Sequence, residues 1–92
     1  MEEDIDSILE RAVLTWGETA QFDQCIEECA ELIQAINKRK RGIGELVDLV
    51  TEMVDVYLMI RQLKYIVNND KLWDEQMEFK VNRLVARLDK YS

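Results

Sequence analysis

Five carboxylates stand out by their spacing: Glu27, Glu28 and Glu31 in one stretch, and Glu52 and Asp55 in another. Both stretches read as helix. A separation of three residues places Glu28 with Glu31, and Glu52 with Asp55, on one helical face each. Carboxylates repel one another and are costly to desolvate without a cation or donor. Two such pairs brought face to face form an oxygen-only pocket for a hard divalent cation. No histidine is present, so the Glu-x-x-His pattern of di-iron bundles is absent and Mg²⁺ or Mn²⁺ suits the set better than iron or zinc. A hard ion with open positions suits phosphate chemistry. The plain alternative is a solvated acidic face. It fits Glu27, Glu28 and Glu31 taken alone better than it fits Glu52 and Asp55, which lie in a helix apolar nearly all round.

The elements that must hold these groups are helices. The 92 residues contain no proline and three glycines, and helix formers dominate, which predicts a single all-α domain over residues 1–92. A first amphipathic helix runs from Asp4 to about Trp16, with Asp4 or Asp6 helping to cap it and Gly17 ending it. Thr19 is a fair N-cap for a second helix reaching about Arg41. On a wheel of about 100° per residue, Phe22, Cys25, Ile26, Cys29, Leu32, Ile33 and Ile36 form its stripe. Glu28 falls at the edge of that stripe, Glu31 further round, and Glu27 well away. Cys25 and Cys29 read as buried thiols.

The run Lys38-Arg39-Lys40-Arg41-Gly42 closes the second helix. Two readings stand: cations complementing a helix C-terminus, or a basic loop that reaches a phosphate. A third helix, from about Glu45 to Val67, has no polar face wide enough for solvent, so it predicts burial against a second copy. Asp48, Glu52 and Asp55 share one of its faces. Asn68-Asn69-Asp70 is a turn and cap. A last helix spans about Lys71 to Lys90, with Trp73, Met77, Val81, Leu84, Val85 and Leu88 as its inner stripe and Lys80, Arg83 and Arg87 on another face.

Charge and composition narrow the partners. A net charge of −7 argues against nucleic acid as a main partner. No run reaches the roughly 18 apolar residues of a membrane span. The acidic start lacks an apolar signal region, so a cytoplasmic location is expected.

Glu27-Glu28-x-x-Glu31, a spacer, then Glu52-x-x-Asp55 resembles the signature of the MazG-like, all-α nucleoside triphosphate pyrophosphohydrolases. The surroundings agree, with Gln21-Phe22 ahead of the first motif and Phe79-Lys80-Val81-Asn82-Arg83-Leu84 similar to the basic motif that often ends these domains. The resemblance covers about Trp16 to Leu88. It implies a four-helix-bundle-like fold completed as a homodimer or homotetramer, and Mg²⁺-dependent hydrolysis of a nucleoside triphosphate to a monophosphate and pyrophosphate. Under it, Glu28, Glu31, Glu52 and Asp55 are the metal ligands and Glu27 helps orient the water. Lys38, Arg41, Lys80 and Arg83 are candidates for phosphate contacts, and Trp16 and Phe22 for the base. Phosphoribosyl-ATP pyrophosphohydrolases share the acidic motif but usually carry a Lys-x-x-Glu-Glu run, and here Gln24 stands where that Lys would be. A catalytically silent helical module is the other alternative.

Overall fold

Residues 4–91 are described by a computed structural model, and they form four helices in chain order. They are α1 (Ile5–Trp16), α2 (Glu18–Lys40), α3 (Leu46–Val67) and α4 (Asp70–Asp89). None of these is long and apolar enough to cross a membrane. Asp4 caps α1 by accepting from the Ser7 N–H at 2.7 Å. Gly17, at φ 86° and ψ 166°, both ends α1 and starts α2. That conformation is nearly closed to any residue with a Cβ. It turns the chain within one residue, so α2 begins at Glu18 and Thr19 lies inside the helix rather than capping it. Gly42 and Gly44, both at positive φ, carry the chain from α2 to α3. Glu45 and Asp48 then form a reciprocal capping box at the start of α3.

The core is the α2–α3 pair, with α1 laid across it. On α2 the covered positions are Gln21, Cys25, Glu28, Cys29, Leu32 and Ala35, Cys29 being half-buried rather than buried. This differs from the face read off hydrophobicity. The true packing face is rotated toward Glu28, and Phe22, Ile26 and Ile33 on the far half of the stripe are exposed. Glu28 is therefore at the centre of the helix contact, not at its edge. On α3 the covered face is Leu49, Glu52, Val56, Met59, Gln62, Leu63 and Ile66, which again contains an acid. Gln21, 3% exposed, ties α2 to α1 by donating its amide to the Ala12 carbonyl at 3.3 Å. Arg61 of α3 pairs with Asp6 of α1.

Only Leu9, Val13, Cys25 and Met59 are buried apolar residues among those described. The last helix contributes none. Its first turn is fixed to the end of α3: Asn68 is left-handed at φ 48°, Asn69 accepts from the Leu72 N–H at 3.0 Å, and the Lys64 ammonium sits 4.6 Å from the Trp73 ring centre. Beyond that elbow α4 packs against no other described helix. The sequence stripe on α4 is real, but nothing in its own chain makes it an inner one.

Candidate functional site

Because α2 and α3 meet at Glu28 and Glu52, three carboxylates converge between them. Glu28, Glu31 and Glu52 each bring an oxygen within 4.8 Å of the others. Asp55, half-buried one turn beyond Glu52, lies outside that group of three, and its charge adds to the rise of Glu28. The helical spacing positions them: Glu28 and Glu31 follow one turn of α2, and Glu52 and Asp55 one turn of α3.

The cluster is short of donors. Gln24, one turn before Glu28, donates its amide to Oε1 at 2.7 Å. Oε2 of Glu28 and Oε2 of Glu52 are buried with no hydrogen-bond partner. Buried polar oxygens without a partner are rare in folded proteins because each forfeits its hydration. The electrostatics follow. Burial pushes Glu28 above the ordinary glutamate range, with Asp55 and Glu31 adding to the rise and the Gln24 amide opposing it. Burial also leads for Glu52, followed by the charges of Glu31, Asp55 and Glu28. Cys25, on the same packed face, is pushed up chiefly by its own burial.

A cleft of about 260 Å³ opens beside the acids, at the end where α2 hands over to α3. Its lining includes Glu31 and Glu52, Lys38 and Arg39, and Gly44, Glu45 and Asp48. Arg41 lines a neighbouring surface depression that Lys38 also borders. Thus Lys38, from the sequence candidates, lies beside the carboxylates, with Arg41 one step away. Arg39 also lines the cleft and was not among those candidates. Its position one residue after Lys38 on a helix end gave no signal, since any of the four cations there suits a helix C-terminus. Gln24 was legible in principle, because an amide four residues before a glutamate on a helix reaches it.

The remaining candidates lie elsewhere. Glu27 is exposed on α2, outside the group of three. Lys80 and Arg83 are exposed on α4, with the Lys80 ammonium 5.7 Å from the Phe79 ring centre, and neither is brought to the acids within one chain. Trp16 and Phe22 are exposed and do not line the cleft. No protein-family model matches the chain, and no curated protein or solved structure matches it.

Proposed function

We propose that this chain is a Mg²⁺-dependent nucleoside triphosphate pyrophosphohydrolase of the MazG-like kind, acting as a cytoplasmic homo-oligomer. The observation that carries the reading is the pair of buried, donorless oxygens on Glu28 and Glu52 within the cluster they form with Glu31. Such a cluster is unfavourable as it stands and becomes favourable around a cation. The donor set is entirely carboxylate oxygen, which fits Mg²⁺, with Mn²⁺ as a substitute. Glu28, Glu31, Glu52 and Asp55 would hold the ion. When bound, it supplies charge compensation for phosphate oxygens and Lewis-acid polarisation.

The chain's own groups do the rest. Lys38 and Arg39 line the same cleft as Glu31 and Glu52 and bind the negative phosphate chain, Arg39 in the bidentate manner open to a guanidinium. Arg41 extends the same basic end of α2. Glu27, on the solvent side, orients the incoming water. Lys80 and Arg83 add phosphate contacts, and Trp16 and Phe22 a stacking surface for the base, where a neighbouring copy completes the site. The products are a nucleoside monophosphate and pyrophosphate.

The test is release of pyrophosphate and monophosphate from a panel of ribo- and deoxyribonucleoside triphosphates with Mg²⁺. Glu52→Gln keeps the size and loses the anion. It is expected to lower the rate roughly 10²- to 10³-fold, as removal of one preorganised electrostatic contact does. No release from any nucleotide, or a Glu52→Gln variant as active as wild type, would overturn the reading in favour of a silent helical module.

A further inference from the structure

We propose that Gln24 is a positioning residue for the cation site: its amide holds one oxygen of Glu28 and thereby sets where the other oxygen stands. The inference rests on the metal site in the reading above and does not depend on hydrolysis.

The first observation is the bond itself. The Gln24 amide donates to Oε1 of Glu28 at 2.7 Å, from one turn earlier on α2. A carboxylate is a rigid plane on a flexible stem. With the stem rooted in the helix and Oε1 anchored, Oε2 has little freedom left. That oxygen is the one buried without a partner. Among the described residues no donor reaches it, and none reaches Oε2 of Glu52. Glu28, Glu31 and Glu52 stand close enough to share one ion. An oxygen held still within that group needs less ordering when an ion arrives.

The second is the chemistry of the donor. An amide donates without carrying charge. It satisfies one oxygen and leaves the negative charge of Glu28 whole for a cation. An ammonium or guanidinium in its place would pair with Glu28 and compete with a divalent ion for the same charge. With a neutral donor, the repulsion among the acids also persists until an ion relieves it.

The third is place. Glu31 and Glu52 line the cleft that Lys38 and Arg39 also line, whereas Glu28 and Gln24 do not. Gln24, Glu28 and Glu31 follow one another along α2 at spacings of four and three residues, so they form one row. Gln24 stands at the end of the row away from the cleft and is exposed to solvent. It acts through Glu28 and touches no group bound in the cleft. A Gln–Glu pair at this spacing also occurs as a plain support of its own helix. That role would move the stability of the metal-free chain and leave its affinity for an ion alone.

Mn²⁺ titration separates the two roles, with the free ion followed by electron paramagnetic resonance and Mg²⁺ added as competitor. Gln24→Met keeps the length and helix propensity of the side chain and removes its donor. It is expected to weaken binding of both ions about 10- to 100-fold, as loss of a group that orients a metal ligand does. The circular dichroism of the metal-free variant is expected to match that of wild type. A variant that binds the ions as wild type does would overturn the positioning role and leave the metal site standing. Weaker binding together with a loss of helix in the metal-free variant would make Gln24 a support of α2 and overturn the role as well. A wild-type chain that binds neither ion would overturn the metal site and the positioning role together. No nucleotide enters the measurement, so hydrolysis is judged separately.

Discussion

Glu28 and Glu52 hold their protons more tightly in the folded chain than in the unfolded one, because burial and neighbouring acids both penalise the anion. For a carboxyl raised in this way, the contribution to stability is complete below the ordinary glutamate pKa of about 4.3. It is lost as pH rises through the raised value. Metal-free wild type and Glu52→Gln should therefore melt alike at low pH and diverge as pH rises to neutrality, with the variant the more stable. Mg²⁺ should raise the melting temperature of wild type at neutral pH and not that of the variant, since only an ion bound to the folded state stabilises it. Thermal melts of both proteins across pH, with and without Mg²⁺, decide this. A variant that melts below wild type without metal would make Glu52 a structural anchor. At this scale the sequence was informative: the i, i+3 pairs included Glu28, Glu31 and Glu52, the three acids that the fold brings together. It could not show that Glu28 faces α3 directly, because hydrophobicity alone locates the middle of a stripe, and here half of that stripe is uncovered in the single chain.

At the scale of the elements, helix boundaries were legible to within a residue or two, since Gly17, Gly42 and Asn68 mark them. The exception was the start of α2. Thr19 has a good capping side chain, yet Gly17 reverses the chain in a single extended, positive-φ residue and leaves no room for a cap two positions later. Apart from Gly17 itself and its two chain neighbours, no atom lies within 4 Å of where a Cβ on Gly17 would stand. The cost of a side chain there is thus backbone strain alone. Gly17→Ala should destabilise the fold by about 1–3 kcal/mol, measured by urea unfolding. A change within a few tenths of a kcal/mol would mean that the turn relaxes to another conformation. The same change leaves the carboxylates of α2 and α3 untouched, so a shift in the response to Mg²⁺ is not expected at saturating ion.

Across the whole molecule, the apolar character of α3 and the periodicity of α4 were legible, but their destinations were not. A stripe announces that something covers it, and only packing shows whether the cover comes from the same chain. The four buried apolar side chains among the described residues make a small interior for four helices. Its consequence is thermodynamic: a copy on its own has little to set against the conformational entropy lost on folding. Folding and pairing should then be one event, and the strength of the fold a property of the solution as much as of the chain. The melting temperature should climb with protein concentration, and refolding from dilute denaturant should slow in proportion as the chains are diluted, with second-order kinetics. Calorimetry over a hundredfold range of concentration measures the first. A melting temperature constant over that range would mean that each copy folds unaided.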